Sequence, residues 1–191
     1  MTSFSDRYTH IEKVAEGSFG DVYRAQDTQP RRPVAIKVLK ERYANDAGAL
    51  HRLRAEAERT VTVNHPNVVT VLETGETETG MPYIVMEWME GETLAAYQAR
   101  CSDGKLTYSD MLRIVKQVGA GLTAAHAKGV LHRDIKPANI LLSHGDQVAK
   151  LSDFGLAAAL DGGSISQGSY QSIVGSAGYL APEITEGGDY T

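Results

Sequence analysis

Short runs of apolar and β-branched residues alternate with turn-rich segments over the first ninety residues, and this pattern predicts a β-sheet. Strands are expected at residues 8–16, 21–27, 33–39, 68–74 and 82–88. One helix is expected between the third and fourth strands, because apolar residues recur there at three- and four-residue spacing: Leu50, Leu53, Ala57 and Val61. Asn45-Asp46 is expected to cap its start, and His65-Pro66 ends it.

The pattern changes to helical periodicity after residue 91. A short helix is predicted at 93–100, and Thr107-x-x-Asp110 is typical of a capping box at the start of a longer one. That helix carries an apolar stripe that we expect to lie in the core: Met111, Ile114, Val115, Val118, Leu122 and Ala125. Residues 140–142 and 148–151 are predicted to form a hairpin, and the chain divides into two parts near residues 87–91.

Composition narrows the class of protein. The chain has 191 residues, 42% hydrophobic and 23% charged, with a net charge of −5 and no basic stripe, so we expect no nucleic-acid partner. The polar amino terminus and the lack of a long apolar run predict neither a signal peptide nor a membrane segment. The lone Cys101 excludes an intrachain disulfide and is consistent with a reducing compartment, so the expected localisation is cytoplasmic.

One short segment, residues 132–139, concentrates the candidate chemistry. It reads His-Arg-Asp-Ile-Lys-Pro-Ala-Asn, and Asp153-Phe154-Gly155 begins nineteen residues after Asp134. Two carboxylates and the amide of Asn139, held close together, suit the binding of Mg²⁺ and the orientation of a hydroxyl toward a phosphate. His132 is interpreted as a packed structural imidazole.

With these motifs, the chain resembles the eukaryotic-like serine/threonine protein kinases, including those of bacteria. The resemblance implies an α+β, bilobal fold with a β-rich amino-terminal lobe carrying one helix and an incomplete, mainly helical carboxy-terminal lobe. It places a tail at residues 1–7, the first lobe at 8–88 and the second at 89–191 with the catalytic and activation loops. The implied reaction moves the γ-phosphate of ATP to Ser/Thr hydroxyls of protein substrates.

The resemblance also implies the catalytic roles. Asp134 would accept or orient the substrate hydroxyl, Lys136 would neutralise charge on the moving phosphoryl group, and Asn139 and Asp153 would bind Mg²⁺, with Mn²⁺ as an alternative. In Val34-Ala35-Ile36-Lys37, the lysine would pair with the α- and β-phosphates and be held by Glu56. Glu58 is the competing acid; Glu56 is preferred because it adjoins the apolar face of the predicted helix.

The nucleotide site is implied in the same way. Residues 15–22 resemble the glycine-rich phosphate loop, although Ala15 stands where the family has its first glycine, which is tolerable if its φ is negative. Met86 would be the gatekeeper, and the Glu87 carbonyl and Met89 amide would bond the adenine edge. The remaining expected nucleotide contacts are Val14, Gly17, Gly20, Val22, Ala35 and Leu141.

A Gly- and Ser-rich segment after Asp153 is expected to regulate activity. Ser169 and Ser172 are the preferred phosphorylation sites, and Arg133 would pair with the added phosphate. Ser176 stands where the family usually has Thr, and its hydroxyl is expected to preserve substrate docking. Self-association for autophosphorylation is a further expectation.

The chain ends shortly after Ala181-Pro182-Glu183. By the resemblance, several helices would follow Thr191, covering the apolar face of residues 111–125 and supplying an arginine for Glu183. An alternative interpretation is therefore kept, in which this chain is a truncated, catalytically inactive kinase fragment or a pseudokinase-like nucleotide-binding module.

Overall fold

The computed structural model describes residues 4, 6–17, 19–43, 47–145, 147–154 and 177–179. Its amino-terminal part is a five-stranded antiparallel sheet with the order β1-β2-β3-β5-β4. The strands are β1 (Tyr8–Glu16), β2 (Gly20–Thr28), β3 (Arg31–Leu39), β4 (Val71–Glu76) and β5 (Pro82–Glu87). Helix α1 (Ala47–Val61) packs against β4, and a short 3-10 helix, Glu41–Tyr43, precedes it.

In the carboxy-terminal part, the described residues form two helices and a small antiparallel sheet of order β6-β7-β8. Its strands are β6 (Gly91–Thr93), β7 (Ile140–Ser143) and β8 (Ala149–Leu151), and its helices are α2 (Leu94–Arg100) and α3 (Tyr108–His126). The described residues of this part also include 3-10 turns at Ser102–Gly104, Pro137–Asn139 and Ala177–Tyr179. Within the described ranges, no helix is both long and apolar enough to cross a membrane.

Two differences from the predicted strands have a common cause, which is pairing between distant segments. Strand β4 begins at Val71 rather than at residue 68, because Val68 forms a parallel bridge with Leu151 of β8. Strand β6 was not predicted, and it pairs Gly91 with Ser143. A side chain at Gly91 would place its Cβ 1.9 Å from the Leu142 carbonyl oxygen, so glycine permits this close approach.

The start of α3 confirms the predicted cap. The Thr107 hydroxyl accepts a hydrogen bond from the Asp110 amide at 3.0 Å and donates to the Asp110 carboxylate at 2.8 Å. This arrangement occupies one of the main-chain donors that a helix start leaves unpaired. The residues proposed to cap α1, Asn45 and Asp46, lie outside the described residues.

The apolar stripe of α3 is only partly core. Ile114 and Ala125 are buried, and Val118 and Leu122 pack against them, in a cluster that includes Leu151 of β8. The prediction is wrong for Met111 and Val115, which are 45% and 61% exposed in the described structure. The helix packs on β8 along one face, and these two side chains lie on its flank. Val61 of α1 is likewise exposed rather than core.

A buried ion cluster ties the start of β1 to the sheet. The Asp27 carboxylate is fully buried and accepts hydrogen bonds from Nε and Nη2 of Arg7, each at 2.7 Å. Arg7 also donates to Glu73 of β4 at 2.6 Å, and the Tyr8 hydroxyl donates to the same carboxylate. The Arg7 guanidinium therefore holds the pKa of Asp27 below its ordinary value, against the opposing effect of burial.

We expect Arg7→Ala to lower the free energy of unfolding by about 3 kcal/mol at pH 7, because it leaves the buried Asp27 carboxylate without its main cation. Urea unfolding measures this change. Arg31→Ala, an exposed neighbour on β3, is the control and should change stability by less than about 0.5 kcal/mol.

The difference in the free energy of unfolding between wild type and Arg7→Ala should depend on pH. A carboxyl whose pKa is lowered on folding stabilises fully above its unfolded pKa, about 3.9, and this contribution is lost as the pH falls through the folded value. The gap should therefore narrow below about pH 4. A gap that stays constant there would contradict the assignment of the effect to Asp27.

Candidate active site

A cleft of about 580 Å³ lies between the two parts of the chain. It is bounded above by β1 and β2, behind by β3 and the segment after β5, and below by β7 and the loop of residues 132–139. The structure brings every predicted nucleotide contact into its wall: Val14, Gly17, Gly20, Val22, Ala35, Lys37, Glu87, Met89 and Leu141. Met86 lines the same cleft and is 8% exposed.

The glycine turn between β1 and β2 forms the upper lip of the cleft. The Gly17 amide donates to the Gly20 carbonyl at 2.9 Å, and a Cβ on Gly20 would lie 2.3 Å from the Val38 carbonyl oxygen. Ala15 continues β1 opposite Val22 and is not among the residues with positive φ. The alanine therefore meets the condition under which it can replace glycine.

Lys37 extends from the middle of β3 into the cleft. Its side chain is 7% exposed, and Nζ lies 2.8 Å from Oδ1 of Asp153. Glu56, the predicted partner of Lys37, belongs to α1, but its side chain lies outside the described part of the structure, so that pairing stays a prediction. Glu58, the competing acid, is exposed. The ion pair with Asp153 joins the amino-terminal sheet to the segment that follows β8.

His132 anchors the loop from beneath. The ring is 2% exposed, and Nε2 lies 2.9 Å from the Ser152 carbonyl oxygen, which can only accept a hydrogen bond. Nε2 therefore carries the proton, and the unprotonated Nδ1 accepts from the Asp134 amide at 3.3 Å. Burial lowers the pKa of His132, which favours this neutral form. The imidazole is structural, as predicted.

Asp134 is held by two neighbours in its own loop. Its Oδ2 lies 2.7 Å from Nζ of Lys136 and accepts a hydrogen bond from the Asn139 amide nitrogen at 2.9 Å. The same nitrogen donates to the Asp134 carbonyl at 2.8 Å. Because both contacts use the amide nitrogen, Oδ1 of Asn139 remains available as an acceptor in the cleft.

Two residues in this region have left-handed backbone conformations. Arg133 has φ 60° and Asp153 has φ 62°, values that non-glycine residues rarely adopt. Such conformations cost about 1–3 kcal/mol each and cluster at functional sites, where the surrounding contacts enforce them. Three other described non-glycine residues, His10, Asp103 and Gln147, also have positive φ. Arg133 and Asp153 differ from them in position: one directly precedes Asp134, and the other carries the carboxylate that pairs with Lys37.

Phe154 packs beneath the cleft. Its ring centroid lies 4.5 Å from that of His132, and it lines a small cavity together with Ala57 and Thr60 of α1. Phe154 therefore lies near α1, the helix that carries Glu56. Gly155 and the candidate regulatory residues Ser169, Ser172 and Ser176 lie outside the described residues. The pairing of Arg133 with a phosphate stays a prediction.

Sequence reasoning missed several residues of the cleft. Trp88 lines its front edge, where the Arg24 guanidinium lies 5.1 Å from the indole ring and pairs with Glu90 at 2.8 Å. Thr93 also lines the cleft and caps α2 by accepting from the Ala96 amide at 3.1 Å. The threonine directly before a helical pattern was a signal for this cap, whereas the stacking of Arg24 on Trp88 depends on strand packing.

The comparison with known proteins agrees with this geometry. The family model "Protein kinase domain" matches residues 8–191. The serine/threonine-protein kinase PrkC of Bacillus subtilis is 40% identical over 184 residues, which cover 96% of this chain and 28% of PrkC. The kinase PknA of Mycobacterium tuberculosis is 38% identical over 191 residues, covering 98% of this chain and 43% of PknA. The chain thus spans less than half the length of these curated relatives.

A solved structure gives the same result for the fold. The crystal structure of the Mycobacterium tuberculosis PknI kinase domain superposes with a TM-score of 0.77 at 30% identity, covering 100% of this chain and 70% of that one. The chain belongs to the protein kinase family, with the bilobal α+β fold that the sequence predicted. Its curated relatives are eukaryotic-like serine/threonine kinases of bacteria, which confirms the resemblance.

The contacts of Asn139 generate a prediction about the loop. We expect Asn139→Ala to lower the free energy of unfolding by about 2 kcal/mol, because it removes the donor that satisfies the Asp134 carbonyl and carboxylate. Asn139→Asp should be at least as destabilising, because it places a second carboxylate about 3 Å from Asp134.

Urea unfolding at pH 7 measures both variants against Lys128→Ala, an exposed control expected to change stability by less than about 0.5 kcal/mol. Wild-type stability in Asn139→Ala would contradict the anchoring of Asp134 by the amide.

Proposed function

We propose that this chain transfers the γ-phosphoryl group of ATP to Ser and Thr hydroxyls of protein substrates. The observation that carries the proposal is the convergence, in one cleft, of an Asp134–Lys136–Asn139 cluster with a buried Lys37–Asp153 ion pair. The two curated relatives described above are both named serine/threonine-protein kinases, which supports the choice of acceptor hydroxyls.

The cleft fits a nucleotide in shape and chemistry. Its apolar walls include Val22, Ala35 and Leu141, and residues 87–89, at the end of β5 and just after it, also line the cleft. A mostly apolar pocket with few polar anchors is typical of such ligands. We propose that the Glu87 carbonyl and Met89 amide bond the adenine edge and that the glycine turn covers the phosphates.

The donor set at the bottom of the cleft fits a hard divalent cation. Asn139 offers an amide oxygen and Asp153 a carboxylate, and both line the cleft. The described residues contain no group of three or more His, Cys, Asp or Glu placed to hold a metal. Mg²⁺ is commonly bound by one or two protein oxygens together with substrate phosphates and water, and Mn²⁺ accepts similar ligands. When bound, the ion would neutralise charge on the phosphates.

The roles proposed for the remaining side chains come from the family resemblance, and their positions in the cleft support them. Asp134 would orient the acceptor hydroxyl and take its proton. In the same step, the acceptor oxygen would form a bond to the γ-phosphorus, and the bridging P–O bond would break to release ADP. Lys136, 2.7 Å from Asp134, would neutralise charge on the transferred group. Lys37 would hold the α- and β-phosphates, with Glu56 as its carboxylate partner. Positioning and charge neutralisation supply most of the catalysis in such reactions.

We further propose a cytoplasmic signalling role, with residues 8–88 and 89–191 as the two lobes. Ser169 and Ser172 are the proposed phosphorylation sites, Arg133 is the proposed partner of the added phosphate, and self-association would allow autophosphorylation. Ser176 would contribute to substrate docking beside Asp134.

Two substitutions separate transfer from nucleotide binding. Asp134→Ala should slow transfer from radiolabelled ATP roughly 10²–10⁴-fold with little change in ATP affinity, because its role is with the acceptor. Lys37→Met should weaken binding of Mg²⁺-ATP as well, because it removes the buried cation of the cleft.

Calorimetric titration with Mg²⁺-ATP and a filter assay of phosphate transfer measure the two effects. Glu78→Ala, an exposed acidic residue, controls for loss of charge. Equal loss of ATP binding in Asp134→Ala and Lys37→Met would contradict the separate roles. Binding without any transfer by the wild-type chain would instead support the interpretation as a nucleotide-binding module.

A further inference from the structure

The Glu87 side chain makes contacts that the reaction described above does not use. Its Oε1 accepts a hydrogen bond from the Thr70 amide at 2.7 Å. Nζ of Lys150, on β8, lies 2.8 Å from both carboxylate oxygens. The side chains of Glu87 and Lys150 are 30% and 19% exposed, so this junction is partly shielded from water.

These contacts change the end of the β4–β5 ladder. The Glu87 amide donates to the Thr70 carbonyl at 3.0 Å. In a regular antiparallel pair of this kind, the two residues exchange two main-chain bonds, so the Thr70 amide would return a bond to the Glu87 carbonyl. Here the Thr70 amide donates to the Glu87 carboxylate instead. The carboxylate therefore takes the place that the carbonyl of the same residue would have in a regular ladder.

Lys150 is well placed to hold the carboxylate in this position. It lies opposite Leu141, a residue of the cleft wall, in the β7–β8 pair. The next residue, Leu151, donates to the Asn67 carbonyl at 2.9 Å and accepts from the Val69 amide at 2.8 Å. These bonds fix β8 beside the segment that ends in Thr70. Contact with both carboxylate oxygens then restricts the rotamer of Glu87.

We propose that Glu87 is a positioning residue for base recognition: its carboxylate, held by Lys150, occupies the Thr70 amide and leaves the Glu87 main-chain carbonyl available to the 6-amino group of adenine. This inference rests on the proposed function, since it assumes that the base of ATP lies against this carbonyl. Without the carboxylate, the Thr70 amide becomes a competing donor for the same carbonyl oxygen.

Two variants of the same residue test the inference. Glu87→Met keeps the length of the side chain but removes the acceptor, whereas Glu87→Gln keeps an oxygen acceptor for the Thr70 amide and removes the charge. The readout is the ratio of dissociation constants for Mg²⁺-ATP and for the Mg²⁺ complex of purine riboside triphosphate, which lacks only the 6-amino group. A net hydrogen bond gives a preference for ATP of roughly three- to tenfold in wild type.

The expected result is loss of most of this preference in Glu87→Met and its retention in Glu87→Gln. Lys150→Met should reduce the preference by a smaller factor, and it serves as the second variant should Glu87→Met fail to fold. Glu90→Gln, an exposed acidic residue of the same segment that pairs with Arg24, controls for the loss of charge and should keep the wild-type ratio.

The outcomes separate this inference from the function on which it rests. Full wild-type preference in folded Glu87→Met, or equal loss in Glu87→Met and Glu87→Gln, overturns the positioning role while leaving the kinase assignment intact. A wild-type chain that binds both nucleotides equally also overturns the role. A wild-type chain that binds neither overturns the proposed function and this inference together.

Discussion

The arrangement of the cleft depends on two main-chain hydrogen bonds formed by Leu151. They join β8 to residues 67–69, directly before the sheet strand β4. Asp153 follows Leu151 by only two residues. These bonds therefore limit where the Asp153 carboxylate can lie relative to the amino-terminal sheet. Lys37, on the middle of that sheet, then reaches Asp153 at 2.8 Å. The two parts of the chain are therefore joined by main-chain hydrogen bonds as well as by the ion pair. We infer that the main-chain bonds align Lys37 with Asp153.

The catalytic loop depends in turn on a neutral, buried histidine. The His132 ring forms hydrogen bonds with both the Ser152 carbonyl and the Asp134 amide. It therefore links the residue before Asp153 to Asp134, which we propose orients the acceptor hydroxyl. A protonated ring would have no acceptor for the Asp134 amide. Burial, which lowers the pKa of His132, therefore keeps the ring in the form that this geometry requires. Arg133, which has a left-handed conformation, lies between His132 and Asp134, and Asp153, which has another, directly follows Ser152.

Local patterns predicted most elements, because strands and helices with one buried face leave a clear period in the sequence. The segment of residues 8–16 forms β1 as expected, and Thr107 caps α3. The predictions failed where pairing across the chain decides the structure. Val68 looks like a strand residue of the first sheet but bridges to Leu151, and Gly91 gives no strand signal because its pairing depends on close approach to β7.

In the candidate site too, local motifs were predicted from the sequence, whereas contacts between distant segments were not. The motif residues Asp134, Asn139 and Asp153 were found from their order along the chain, and the structure places them in one cleft. The partner of Lys37 within the described residues is Asp153, a contact that spans more than a hundred positions and has no local signature. Lys150 was missed for a related reason: a lysine on a short strand has the pattern of a solvated side chain, and only the fold brings it to Glu87.

The choice of an amide at position 139 follows from the charges around it. Asp134 already has one cation, Lys136, at 2.7 Å, and its Oδ2 lies 2.9 Å from the Asn139 nitrogen. A carboxylate at position 139 would add a like charge at that distance, and the two groups would repel each other. An amide avoids the conflict, because its nitrogen donates to Asp134 while its oxygen is left as a neutral ligand for a divalent cation. Asp134 and Asp153 then line one cleft, with Lys136 beside the first carboxylate and Lys37 beside the second.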